Sequence, residues 1–128
     1  MILVDSSIWI DHLRASDATL ADLLNHGLIL SHPFVIGELA LGSLRQRTTI
    51  ISALQDLPKA SVAEDGEVLA FIERQSLYGR GIGYIDAHLL ASARLTADAR
   101  LWTRDKRLNE VAADLGLAAA LPPAGTQN

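Results

Sequence analysis

The sequence predicts an α/β fold in three layers (α/β/α), with a central parallel sheet of four or five strands covered by helices on both faces. Three observations predict it. Short apolar runs of strand length alternate with longer segments whose apolar residues recur at helical spacing. Strands separated by helices are joined by right-handed crossovers, which makes neighbours parallel and buries the sheet between helical layers. The chain has 128 residues, enough for one core and too few for two.

Each element has its own signal. Ile2-Leu3-Val4 is a first strand running into Asp5-Ser6-Ser7, residue types that cap helices. Helices are expected from about Ile8 to Arg14 and from about Thr19 to Asn25, the second closed by Gly27. Leu28-Ile29-Leu30-Ser31 is a second strand. Pro33 sits where a first helical turn tolerates proline, and that helix is expected to reach Gly42. Further helices are expected over Thr48 to Asp56, Glu64 to Tyr78 and Tyr84 to Leu95, with a weaker strand at Ala60 to Ala63. Arg100-Leu101-Trp102-Thr103 is a strand, Lys106 to Leu115 a helix followed by Gly116, and Leu117 to Leu121 a last short strand. The expected domain therefore covers residues 1–121, and residues 122–128 form a tail without a packing signal, expected to be flexible.

Composition narrows the class. Apolar residues make up 49% of the chain and charged residues 20%, which argues against disorder. With no cysteine there is neither a disulfide framework nor a thiolate metal site, in keeping with a reducing compartment. The N-terminal segment lacks a basic region and meets an acid at Asp5, unlike a secretory signal. No apolar run approaches the roughly eighteen residues of a membrane helix. The expectation is a soluble, cytoplasmic protein with no membrane partner. A net charge of −4 argues against nucleic-acid binding through a broad basic surface. Nine of the eleven cationic residues are arginine, the better bidentate donor to phosphate or carboxylate.

The informative acids lie where solvation does not explain them. Asp5 and Asp105 follow strands, and in parallel α/β sheets ligands bind beyond the carboxyl ends of the strands. Glu38 shares a helical face with Phe34, Val35, Leu41 and Gly42, and Asp86 shares one with Ile82, Gly83, Leu89 and Leu90, so both are expected on apolar stripes. A carboxylate there is costly unless protonated, paired or bound to a metal. Any one of the four is explained as well by an arginine partner or by helix capping, Asp86 above all because it lies near a helix start. As a set they are harder to explain that way, since two strand ends and two helices packed beside them converge naturally.

Gathered carboxylates repel one another unless a divalent cation lies among them. An all-oxygen set suits Mg²⁺ or Mn²⁺, as one or two ions. Such an ion activates water and clamps a phosphodiester, so phosphodiester hydrolysis is the expected chemistry. Arg45, Arg47, Arg104, Lys106 and Arg107 are candidates for contacts to a nucleic-acid backbone, against the alternative of solvated surface charge. Asp11 reads as a solvated acid facing Arg14 or His12. The four histidines are scattered, without the converging pair a metal-free ribonuclease needs, and His88 reads as a packed helix residue. Trp9 and Trp102 flank acidic motifs and suit base stacking, but core packing accounts for both.

These residues resemble the motifs of the PIN-domain ribonucleases, and within them the VapC-type toxins of bacterial toxin–antitoxin pairs. Ile2-Leu3-Val4-Asp5-Ser6-Ser7-Ile8-Trp9-Ile10 is similar to the family's first acidic motif and Gly37-Glu38-Leu39 to the second. Ile85-Asp86-Ala87-His88-Leu89-Leu90-Ala91-Ser92-Ala93 resembles the third. Leu101-Trp102-Thr103-Arg104-Asp105-Lys106-Arg107-Leu108 resembles the fourth, with Thr103 in the place of a hydroxyl that supports the site. The resemblance runs from Ile2 to about Gly116 and departs at Leu108, where an aromatic is common, a change of packing rather than ligation. It implies a PIN-like fold and Mg²⁺ or Mn²⁺ held by Asp5, Glu38, Asp86 and Asp105, the last directly or through water. It also implies endonucleolytic cleavage of an RNA such as tRNA or rRNA, a homodimer, and inhibition by a small VapB-type antitoxin.

Two other classes compete. A phosphoacceptor signalling domain would gather adjacent acids after its first strand and carry a late lysine, and Val4-Asp5-Ser6 lacks the pair. A catalytically inactive PIN-like regulatory or protein-binding module would be expected to have lost an acid, and all four are present.

Overall fold

The structure, a computed structural model, describes residues 1–121; the tail expected at 122–128 lies outside the described residues. The chain order is β1 (Ile2–Val4), α1 (Ser6–Ala15), α2 (Ala18–Asn25), β2 (Ile29–Leu30), α3 (Pro33–Ala40), α4 (Arg47–Gln55), α5 (Asp65–Arg74), α6 (Tyr84–Leu95), β3 (Arg100–Trp102) and α7 (Lys106–Asp114). β1 is central. It runs parallel to β2 through Ile2↔Ile29 and Leu3↔Leu30, and parallel to β3 through Ile2↔Arg100, Leu3↔Leu101 and Val4↔Trp102. The connection from β1 to β2 moves toward one edge and that from β2 to β3 crosses back over β1, so right-handed crossovers put their helices on opposite faces. Leu3 and Val4, which point to opposite faces, are accordingly both fully buried. The α/β fold with a parallel sheet read from the sequence is the fold observed.

The sheet is narrower than expected. The strands at Ala60 to Ala63 and Leu117 to Leu121 reduce to single bridges, Ser31↔Lys59 and Leu101↔Ala118, one on each edge. On the first edge Pro58 accepts from the Ser31 amide and the Ala60 amide returns a bond to Ser31, but proline has no N–H with which to extend the ladder. On the second, β3 has only three residues to offer a neighbour. α5 stops at Arg74 instead of Tyr78 because Ser76 and Gly79 take positive φ, 52° and 72°, and leave the helix.

The core gathers Leu3, Ile8, Leu20, Leu89, Leu90 and Leu101 around β1 and α6. Trp9 and Trp102 are 4% and 7% exposed, so both are core residues and neither is free to stack on a base. Among the described residues, no helix is long and apolar enough to cross a membrane.

Candidate active site

Parallel pairing sets the carboxyl ends of β1 and β3 side by side. The Asp5 amide donates to the Trp102 carbonyl at 3.0 Å, so Asp5 and Thr103 leave the sheet together. Asp5 holds the N-cap position of α1, yet its carboxylate makes no capping bond. Instead its Oδ2 accepts two hydroxyls, Thr103 Oγ1 at 2.7 Å and Ser7 Oγ at 2.8 Å. Both hydroxyls are held in turn: Ser7 Oγ accepts the Arg104 amide and Thr103 Oγ1 the Asp105 amide, each at 3.0 Å. Asp5 is buried, and no arginine, lysine or histidine forms an ion pair with it among the described residues. A buried carboxylate stabilised by hydroxyls at a helix N-terminus keeps its capacity for a cationic ligand.

The other three acids act on this centre and on one another. Glu38 accepts the Ser6 hydroxyl at 3.2 Å. Its pKa is raised, first by the partial loss of hydration on the side that faces the site and then by repulsion from Asp5 and Asp86, with the Ser6 bond offsetting part of the rise. Asp86 sits in the first turn of α6 and accepts the Gly83 amide on Oδ2 at 3.1 Å. Burial again raises its pKa most, the Gly83 bond opposes, and Asp5 and Asp105 add repulsion. Asp105 caps α7, its Oδ1 accepting the Leu108 amide at 2.9 Å. Capping thus accounts for one oxygen of Asp86 and one of Asp105.

Glu38 is exposed, not set in an apolar stripe: α3 buries Val35 and Leu39, and because the helix ends at Ala40, Leu41 falls off the face and is 92% exposed. Asp86 is half-buried, at the start of the buried run from Ala87 to Ala93.

The identity of this arrangement follows from comparison with known proteins. The PIN domain family matches residues 2–114. The chain belongs to the PIN-domain family. Ribonuclease VapC32 of Mycobacterium tuberculosis, in strains CDC 1551 / Oshkosh and ATCC 25618 / H37Rv, is 51% identical over 120 residues, spanning 94% of this chain and 97% of the relative. That likeness places this PIN domain among the VapC-type ribonucleases.

No three His, Asp or Glu side chains among the described residues form a ready-made metal-ligand set. Mg²⁺ does not require one, since it retains several waters and binds one or two carboxylates together with substrate phosphates. The donor chemistry of the PIN domain fits such an ion: four carboxylate donors, no cation paired to any of them among the described residues, and two pKa values raised by desolvation first and by mutual repulsion second.

Beside the acids lies an ion-pair network that the sequence did not reveal. Arg104 Nε bonds Asp11 Oδ2, and its Nη2 reaches Asp17 Oδ2 at 3.1 Å. Asp11 is therefore not the solvated acid expected beside Arg14 or His12, and Arg104 is not a free donor for an RNA backbone. Its guanidinium ties α1 and the start of α2 to the turn bearing Thr103 and Asp105. Asp17 also caps α2 through Leu20 at 2.9 Å. Arg47 is likewise engaged, its Nε and Nη2 bonding the Ala40 carbonyl at the end of α3. Lys106 and Arg107 remain exposed. His88 is packed as read, 2% exposed and within 3.2 Å of Asp65 Oδ1.

Arg104→Ala strands the Asp17 carboxylate, only 8% exposed, without its partner. A loss of about 2 kcal/mol is expected, below the range for fully buried pairs because Arg104 is itself partly solvated. Thermal denaturation of Arg104→Ala, Asp17→Asn and the double variant checks this; the double variant should lose less than the sum of the two single losses.

Proposed function

We propose that this PIN domain is an endoribonuclease toxin that hydrolyses RNA phosphodiester bonds at the carboxylate cluster with Mg²⁺ or Mn²⁺, as one or two ions. In this reading a small cognate VapB-type antitoxin neutralises it, the working form is a homodimer, and it acts in the cytoplasm on an RNA such as tRNA or rRNA. The observation that carries the reading is the set of four carboxylates without cationic partners among the described residues, Asp5, Glu38, Asp86 and Asp105, which act on one another around the ends of two adjacent parallel strands. The ribonuclease named among its relatives agrees with RNA as the substrate.

A bound divalent ion supplies positive charge to the phosphate and lowers the pKa of water. The chain's own residues do the rest. Asp5, oriented by Thr103 and Ser7, and Asp86, oriented by the Gly83 amide, would hold the ion. Glu38, exposed and tethered by Ser6, closes the set from α3. Asp105, with Oδ1 committed to Leu108, would offer its other oxygen to the ion directly or through water. Lys106 and Arg107 flank the site as donors to the RNA backbone.

Purified chain, free of any copurified antitoxin, is incubated with total cellular RNA in Mg²⁺ or Mn²⁺ and in EDTA. Discrete cuts that vanish in EDTA are expected. Equal cutting in EDTA would refute the metal role, and no cutting by folded protein would favour the inactive binding-module reading.

A further inference from the structure

The loop after α5 and the first residue of α6 carry two exposed tyrosines, Tyr78 and Tyr84, on either side of the Gly83 amide that bonds Asp86. Ser76, Gly79 and Gly81 all have positive φ, which curls the loop back against α6. Tyr78 and Tyr84 are 65% and 45% exposed, whereas the tryptophans are buried. Tyr84 is held in place: its hydroxyl donates to Asp65 Oδ1 at 2.9 Å, and its ring stands perpendicular to His88, 4.7 Å between centroids. Phe34 backs the same histidine at 4.6 Å.

Tyr78 and Tyr84 line a cavity of about 220 Å³ together with Ile72, Leu77, Ile82 and Ala87, and no charged side chain lines it. Such a lining suits a flat, uncharged aromatic group and not a phosphate or a metal ion. Gly83, in the wall of the cavity, is the residue whose amide bonds Asp86 Oδ2. Cavity and cluster therefore share a wall. Arg107 lies so close over Gly81 that a Cβ there would stand 2.8 Å from Nη1, which places a cation between this loop and α7.

We propose that this cavity is a nucleobase subsite, in which a base adjoining the cleaved phosphodiester stacks on Tyr84 and Tyr78 while Arg107 meets the neighbouring phosphate. The identity of the ligand rests on the ribonuclease reading above. Sequence-specific and single-strand recognition of RNA depends on unstacked bases laid on aromatic side chains, so the subsite selects single-stranded or looped RNA segments over continuous duplex. A pre-oriented tyrosine loses little freedom when a base arrives, which is what a stacking platform requires.

Adenosine, which carries a base and no phosphate, tests the proposal directly. It is titrated into the full chain beside ribose while amide and tyrosine ring-proton shifts are followed by NMR. Saturable shifts at Tyr78, Tyr84 and Gly83 are expected with adenosine and none with ribose. Tyr84→Leu should weaken binding about tenfold or more, while Tyr84→Phe, which keeps the ring and loses only the Asp65 bond, should stay within about threefold. Absence of shifts at the tyrosines, or undiminished affinity in a folded Tyr84→Leu, overturns the proposal. Because adenosine binding needs neither metal nor turnover, its result is separate from the cleavage assay. Shifts without RNA cleavage would keep the subsite and remove the nuclease reading, and cleavage without shifts would do the reverse.

Discussion

Asp86→Asn is expected to lower RNA cleavage at least about a thousandfold, equivalent to about 4 kcal/mol of transition-state stabilisation, and to leave the chain folded. Asparagine retains an oxygen to accept the Gly83 amide at the start of α6, so the local structure keeps its cap. What it removes is a charge that burial and the neighbouring Asp5 and Asp105 already disfavour. Without metal the variant should therefore melt higher than the parent at neutral pH. The sign follows from linkage: a carboxyl with a raised folded-state pKa ionises later in the native state than in the unfolded chain. Its penalty is absent in acid and sets in as the pH rises through the carboxylate range. Saturating Mg²⁺ should reverse the order, because only the parent gains stability by binding the ion. Melting curves with and without Mg²⁺, alongside cleavage rates, read both effects, and a fully active Asp86→Asn would remove Asp86 from the site.

The second large effect is acid lability centred on His32. Its side chain is fully buried, and burial followed by the proximity of His88 lowers its pKa to about 4 from an ordinary 6.5. The cause is visible in the bonding. Nδ1 accepts the Phe34 amide at 3.0 Å as the N-cap of α3, which leaves the proton on Nε2, 3.0 Å from Ser92 Oγ. A second proton on Nδ1 would break the cap of the helix that carries Glu38. Between about pH 6.5 and 4 the unfolded histidine binds a proton that the native one refuses, so stability falls as the pH drops through that window. The loss approaches about 3 kcal/mol below it. Glu38 and Asp86 act in the opposite sense at the lower end, where their protonation relieves repulsion. Urea unfolding of Asp86→Asn from neutrality to acid, beside the same protein carrying His32→Asn, separates the terms. The decline should be shallower with asparagine at position 32, and equal declines would contradict this account.

What the sequence discloses and what it hides divide along contact range. Asp5 is legible because an apolar strand, an acid and small hydroxyl residues follow one another in the chain, and the hydroxyl of Ser7 does reach its carboxylate. Helical spacing also places Asp86 correctly at the start of α6. The same spacing misplaces Glu38, because it assumes that α3 continues past Ala40, where the chain instead turns Leu41 to solvent. The network around Arg104 is invisible locally, since its partners Asp11 and Asp17 are 93 and 87 residues away. Edge pairing is overread for a related reason: Ala60 to Ala63 reads as a weak strand between two helices, but a proline at position 58 and the shortness of β2 limit what can pair. The tyrosine cavity depends on the path of a glycine-rich loop, which periodicity does not specify.

Binding of Mn²⁺ to the parent chain and to Asp5→Asn, measured by calorimetry with RNA cleavage followed across the same titration, tests most directly whether the carboxylate cluster is a divalent-metal centre. Saturable binding to the parent that tracks the onset of cleavage is expected, with both lost in Asp5→Asn while the variant remains folded. Equal Mn²⁺ affinity in the two proteins, or cleavage that proceeds undiminished before any ion is bound, would contradict it.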